Sequence, residues 1–204
     1  AGRQVLAERA VGVRTVVFED EGDAAGWADL AINEMVDGPK WAVLRPEFHC
    51  LPDHEVRERA DRVLVTFGGT DPSGLAERVR LLFEVSATAK VITPDMNVHM
   101  ASEMMTADLV ITGQGRTVFE AAACGVPCLS IAANEREARH VRIPGVIYIG
   151  LHTTVSDQQI RETTTRLLGD RQLRGEMSAT SRRQIDGKGV ERIMHAIDGL
   201  LKGL

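Results

Sequence analysis

Two short apolar runs that stop abruptly at glycine constrain this chain more than any other feature. Val63-Leu64-Val65-Thr66-Phe67 ends in Gly68-Gly69, and Asp108-Leu109-Val110-Ile111-Thr112 ends in Gly113. An unbroken apolar run of this length is the pattern of a strand buried on both faces, as in parallel sheets covered by helices. Each run precedes a stretch with helical spacing of apolar residues, Leu75 to Phe83 and Thr117 to Cys124, the latter closed by Gly125-Val126-Pro127. Lys90–Thr93, Cys128–Ile131 and Val146–Ile149 read as further strands, and Met96–Thr106 as a helix. From Ser156 the pattern is all helical, with Ser156 or Asp157 capping one helix, a second after Asp170, and a last from about Gly189 to Leu201. Strands alternating with helices, without hairpin signals, predict an α/β fold with a doubly wound parallel sheet.

The first part of the chain is thinner. A helix around Arg3–Ala10 and two short strand patterns, Thr15-Val16-Val17-Phe18 and Ala28–Asn33, are too little for an independent core. They read as the remnant of an N-terminal α/β domain. Gly38-Pro39 punctuates the segment, and Arg45-Pro46-Glu47-Phe48 reads as an extended linker, because the residue before proline is pushed out of the helical region. The expected division is therefore 1–48, the end of one domain plus a linker, and 49–204, a ligand-binding domain.

Composition narrows the functional classes. Aromatic residues make up only 4% of the 204 residues, so the core must rest on Val, Leu, Ile, Ala and Met. A net charge of -5 with no basic run argues against nucleic acid, whose phosphates demand a basic surface. No apolar run approaches membrane-spanning length, and no signal pattern opens the sequence. Cys50, Cys124 and Cys128 form no CxxC pair; Cys124 and Cys128 read as buried thiols, which suits a reducing, cytoplasmic setting. His49, His54, His99, His152 and His195 lack metal-ligand spacing, so neither a metal nor a cofactor is expected. The chain has no Walker loop, no GxGxxG and no GxSxG elbow.

Glycines where a strand gives way to a helix let a ligand approach the backbone, and the helix start offers unpaired N–H donors. Gly68, Gly69, Thr70 and Asp71 form one such loop; the alternative is a plain turn with Asp71 or Ser73 as helix cap. Gly113, Gln114 and Gly115 form the second, with Thr117 and Glu120 one helical turn apart on the same side. Amides and the Thr117 hydroxyl suit a diphosphate, and a carboxylate suits both hydroxyls of a ribose. The alternative is a capping box from Thr117 to Glu120 that satisfies the helix without a ligand. A third group, Asn134-Glu135-Arg136-Glu137 with Arg139 and His140, follows the strand ending at Ile131. It is placed to meet a sugar or a uracil, or else is a solvated helix start with a surface histidine.

Taken in order, these residues resemble a known family. Gly38-Pro39-Lys40-Trp41-Ala42-Val43-Leu44-Arg45-Pro46-Glu47-Phe48, then Val65-Thr66-Phe67-Gly68-Gly69-Thr70-Asp71-Pro72, is similar to the UDP-sugar hydrolase of pseudaminic acid biosynthesis and to spore-coat polysaccharide biosynthesis proteins. Ala107–Ile111 with Gly115, Thr117 and Glu120, and Asp186-Gly187-Lys188-Gly189-Val190-Glu191-Arg192, continue the pattern. That family is similar to the glycosyltransferase that makes lipid II. The resemblance implies the glycosyltransferase-B architecture, two Rossmann-like halves with a nucleotide sugar between them, of which this chain carries mainly the C-terminal half. It implies a UDP-sugar ligand, with Gly68, Gly69 and Thr70 near the diphosphate or sugar and Gly115 and Thr117 on phosphate. Glu120 would then meet the ribose, and Asn134 and Glu135 the hexose. The implied activity is UDP-sugar hydrolysis or glycosyl transfer in polysaccharide or nonulosonic, sialic-acid-like sugar synthesis. The family's catalytic histidine lies in a Gly-rich N-terminal loop that has no counterpart in this sequence, so no catalytic residue is assigned. A missing N-terminal domain or a second subunit would supply that group. Between Phe83 and Lys90 the chain also lacks a strand and helix that the family normally places there. The alternative function is a non-catalytic docking or assembly module appended to another enzyme, such as a sialic-acid-type cytidylyltransferase.

Overall fold

A computed structural model describes residues 1–68, 71, 73–84, 90–92 and 99–203. It divides into two compact units, residues 1–43 with 187–204, and residues 44–186.

The first unit begins with α1 (Gly2–Ala10), β1 (Val16–Phe18), α2 (Ala24–Trp27), β2 (Leu30–Ile32) and α3 (Glu34–Asp37). β1 and β2 pair in parallel, Val16 beside Leu30 and Phe18 beside Ile32. The Asp29 carboxylate fixes the start of this pair by accepting from the Thr15 amide at 2.9 Å and the Thr15 hydroxyl at 3.2 Å. Asn33 caps α3 through its side-chain oxygen on the Met35 amide. Both strands expected from sequence are present, but Phe18 is 53% exposed rather than buried.

The second unit is a five-stranded, all-parallel sheet in the order β4-β3-β5-β6-β7. Its elements in chain order are β3 (Arg62–Thr66), α4 (Leu75–Glu84), β4 (Lys90–Ile92), α5 (Met100–Thr106), β5 (Leu109–Thr112), α6 (Thr117–Cys124), β6 (Cys128–Ala132), α7 (Glu135–Arg139), β7 (Val146–Leu151), α8 (Asp157–Gly169) and α9 (Arg171–Arg182). The register places Val63, Leu109 and their neighbours Val65 and Ile111 on one face, with Leu129 and Ile131 alongside. That face is buried with Leu75, Val79, Leu82 and Phe83 of α4 and with Ile160 and Leu167 of α8. The alternate residues Leu64, Val110 and Cys128 are fully buried as well, on the side where α5 and α6 pack. Burial on both faces is why these strands read as continuous apolar runs instead of alternating ones. α6 ends as its sequence predicts, on Gly125 in the left-handed region (φ 69°).

The segment between the sheet and residue 48 has no regular structure, yet its carbonyls are held. Arg182 donates to Leu51 and Pro52, Arg171 to Val56, and the fully buried Arg174 to Arg57. Arg57 in turn grips Asp108 at the start of β5 through two contacts of 2.8 and 2.5 Å.

The last helix is α10 (Gly189–Lys202). Contiguity in sequence placed 187–204 with the second domain, but α10 belongs to the first unit. Its first residue lies against the Ala42 backbone so closely that no Cβ fits, and Arg192 donates to the Lys40 carbonyl at 3.2 Å. The compact units part at 43/44, and the turn Pro46–Phe48 packs on α5 and α6 within the second. Among the described residues no helix is long and apolar enough to cross a membrane.

Candidate functional site

The β5–α6 loop lies at the carboxyl end of a central strand, the position at which open parallel sheets bind ligands. Arg116 precedes α6 and Thr117 opens it, and no side chain caps this helix. The Thr117–Glu120 capping box is therefore not formed. Glu120 turns instead to Arg45, whose Nε and Nη2 both approach its Oε1, at 3.3 and 3.2 Å. Burial pushes the Glu120 carboxyl up and Arg45 pulls it back; the net position is above the ordinary carboxylate value. Among the described residues neither Glu120 Oε2 nor the Thr117 hydroxyl has a hydrogen-bond partner.

Gln114 is buried. Its side chain is only 2% exposed, accepting from the Ser130 hydroxyl at 2.5 Å and donating to the Val141 carbonyl at 2.9 Å. The loop's middle residue thus anchors the loop to the inside of the sheet. His140 is correspondingly a buried residue, with Nδ1 2.7 Å from the Gln114 carbonyl, and not a surface histidine.

One half of a capping box does form, one loop further on. Asn134 is the cap of α7, its side-chain oxygen accepting from the Glu137 amide at 3.0 Å. The Glu137 carboxylate folds back and accepts from the Ala133 amide at 2.9 Å and from the Gln114 amide at 3.1 Å. One carboxylate therefore ties the β6–α7 loop to the β5–α6 loop. Gly113 makes room for it: a Cβ there would lie 3.2 Å from Glu137 Oε2. Of the two residues expected near a sugar, Asn134 is committed through its oxygen, while Glu135 is exposed.

The β3 loop divides in the same way. Gly68 adopts a left-handed conformation (φ 79°) that lets the chain turn off the strand. Asp71 is a helix cap, its carboxylate accepting from the Leu75 amide at 3.1 Å and the Ala76 amide at 2.8 Å. Ser73 reaches over to the Ala133 carbonyl at 3.1 Å, so the loops after β3 and β6 meet above the end of β5. Gly69 and Thr70 lie outside the described residues. The carboxylate of Asp71 caps the start of α4, whereas no side chain caps α6, whose first turn carries Glu120.

Two features were missed by sequence reasoning. Arg45 was read as part of a linker, although an arginine next to Pro46 and Glu47 was a visible signal of a fixed, charged turn. Asp108 was read only as a strand start. It is 2% exposed and takes, besides Arg57, the amides of Asp61 and Arg62 at 2.8 and 2.9 Å. Burial pushes its carboxyl up, but these hydrogen bonds outweigh that and leave it below the ordinary value. Cys124 and Cys128 are buried as expected, and burial pushes both thiols up to about 12. Among the described residues no group of three or more His, Cys, Asp or Glu is placed to hold a metal ion.

No protein-family model matches the chain. It is 23% identical over 238 residues to the Bacillus subtilis spore coat polysaccharide biosynthesis protein SpsG, an alignment covering 92% of this chain and 70% of that protein. Among solved structures it is similar to MurG of Acinetobacter baumannii, with a TM-score of 0.70 at 17% identity, over 98% of this chain and 70% of that one. It is also similar to MnaA of S. aureus, solved with UDP, with a TM-score of 0.59 at 16% identity over 98% and 73% of the two chains. The fold is thus the parallel α/β, Rossmann-like fold of the glycosyltransferase-B proteins.

Proposed function

We propose that residues 44–186 bind a UDP-sugar at the carboxyl ends of β3, β5 and β6, as the nucleotide-binding part of an enzyme of cell-surface polysaccharide synthesis. The observation that carries this reading is the uncapped first turn of α6, with the partly paired carboxylate of Glu120 one turn along it. The amides of Val118, Phe119 and Glu120 donate to the Gly115 and Arg116 carbonyls, so what the helix start offers a phosphate is the amides of Gly115 and Thr117 and the positive end of its dipole. A carboxylate with open lone pairs accepts from both hydroxyls of a ribose. The diphosphate lies against Gly115 and Thr117 and the ribose against Glu120. Gly68, Gly69 and Thr70 flank the diphosphate or sugar, and Glu135, with the amide of Asn134, is nearest the hexose.

The name of the Bacillus relative and the UDP in the S. aureus structure support this assignment. The finer reading is hydrolysis at the sugar–UDP linkage, in the synthesis of nonulosonic sugars such as pseudaminic acid. Transfer of the sugar to a hydroxyl differs only in the acceptor. In both cases the group that activates the acceptor is separate from the binding residues named here. Calorimetric titration with UDP, UDP-N-acetylglucosamine and CMP tests the proposal. Binding of the two uridine compounds in preference to CMP is expected. No heat and no chemical-shift change with any of the three would overturn it and leave the docking-module alternative.

A further inference from the structure

The surroundings of Glu120 carry a second conclusion, which rests on the UDP-site reading above. We infer that Arg45 is a positioning residue of this site: it holds Glu120 as an ionised acceptor while leaving Oε2 open to the hydroxyls of the ligand.

The geometry is specific. Both Arg45 contacts fall on Oε1, so the guanidinium fixes the carboxylate from one side only. The guanidinium is itself held on two further sides. Its Nη1 lies 2.7 Å from Glu47 Oε1, and its plane lies over the Phe48 ring with the carbon 5.1 Å from the centroid. Pro46, inside the same turn, restricts the backbone that carries all three residues. An arginine braced by a carboxylate and a ring loses little further freedom in gripping Glu120, and the planar fork is what allows it to engage two carboxylates at once. Nothing in the packing of the second unit requires this contact, since the Arg45 side chain is 53% exposed.

The charged and titratable groups around Glu120 are Arg45 and Glu47 from the 44–48 segment, Arg116 at the start of α6, and Cys124 one turn along it. His99, before α5, lies beyond Glu47, 3.7 Å from its Oε2. Ionised, Glu120 is an acceptor on both oxygens and a strong one for the ribose hydroxyls; protonated, it keeps fewer and weaker acceptor sites. Burial and Glu47 oppose ionisation, and Arg45 and Arg116 favour it. Removing Arg45 therefore raises the pH below which the ligand's hydroxyls are held less strongly.

The test uses the full 204-residue chain as wild type, Arg45→Met and Arg45→Lys. The probes are UDP and a UDP analogue lacking both ribose hydroxyls, titrated from acid to mildly alkaline pH over the range in which the chain stays folded. Wild type is expected to prefer UDP across this range. In Arg45→Met that preference falls by about tenfold at the acid end, the worth of one charge-assisted hydrogen bond, and recovers toward the alkaline end. Arg45→Lys, which keeps a charge without the fork, falls between the two. Carboxyl carbon NMR, assigned through Glu120→Gln, reads the same effect without ligand: Glu120 titrates at higher pH in Arg45→Met. An unchanged UDP preference at every pH, or an unchanged Glu120 titration, overturns the role of Arg45 and leaves the nucleotide site standing. Equal binding of the two probes by wild type itself overturns the site and this inference together. Should Arg45→Met fail to fold cooperatively, Arg45→Lys carries the same readouts with a smaller displacement.

Discussion

Replacing Glu120 by glutamine separates ligand recognition from folding, because the two depend on the carboxylate in different amounts. Among the described residues the Glu120 carboxylate has one hydrogen-bond partner, an arginine that is half exposed, and such pairs are worth about 0–1 kcal/mol. Against this stands the burial of a carboxylate that is only 12% exposed, which raises its pKa above the ordinary 4.5. A carboxyl whose folded value is raised contributes stability below its unfolded value and loses it as pH rises through the folded value, so ionised Glu120 is a small burden at neutral pH. Glutamine removes both the pair and the burden, and the net change in unfolding free energy is about 1 kcal/mol or less in either direction. A bound ribose is different. Two hydrogen bonds to a charged acceptor contribute about 1.5–3 kcal/mol each, and the amide retains only one weaker acceptor. The expected loss of UDP affinity is about 2–4 kcal/mol, or about 30- to 1000-fold in Kd. Urea denaturation and calorimetric titration at neutral pH measure the two quantities on the same samples. Equal losses of stability and affinity would refute the reasoning and assign Glu120 to the scaffold.

Three further outcomes follow from groups away from that carboxylate. Asp108→Asn leaves two amides and Arg57 sharing one carbonyl oxygen, and should destabilise the chain by about 2–4 kcal/mol in urea. Because Asp108 titrates below its ordinary 3.8 when folded, its contribution is present above that value and lost as pH falls through the folded one; the variant's urea midpoint should show less of this acid dependence. Asn134→Ala removes the α7 cap and should cost about 1 kcal/mol, measured by the same melts, while a loss of UDP affinity beyond tenfold would show that the side chain also meets the ligand. Of the three cysteines, Cys50 is exposed and should react with a thiol reagent in the native state, whereas Cys124 and Cys128 should react only on unfolding.

The β-α alternation was legible because strands buried on both faces leave an unambiguous mark in sequence, and β3, β5 and β6 lie where their apolar runs lie. The site was legible only as a set of loops. Thr117 with Glu120 and Asn134 with Glu137 present the same four-residue spacing, and nothing local distinguishes them. The outcome is decided by Arg45, distant in sequence, which takes Glu120 out of the first pattern. Gln114 looked like a ligand group because it is polar and flanked by glycines; its burial depends on Ser130 and on the Val141 carbonyl, both supplied by later elements. The grouping of α10 with the first unit is likewise non-local. Its helical pattern was plain, but the contacts of Gly189 and Arg192 with Ala42 and Lys40 connect the two ends of the chain.

The Glu137 carboxylate, seated over Gly113, couples two positions on different elements. Even a methyl at 113 must displace an oxygen 3.2 Å away that two amides already hold. Anyone reshaping this loop to admit a different ligand would therefore have to let the Glu137 carboxylate give by a few tenths of an ångström without losing the two amides it holds. Sequences in this fold that carry a side chain at the equivalent of Gly113 should show a compensating change at the equivalent of Glu137, a covariation that arises from packing and not from the ligand.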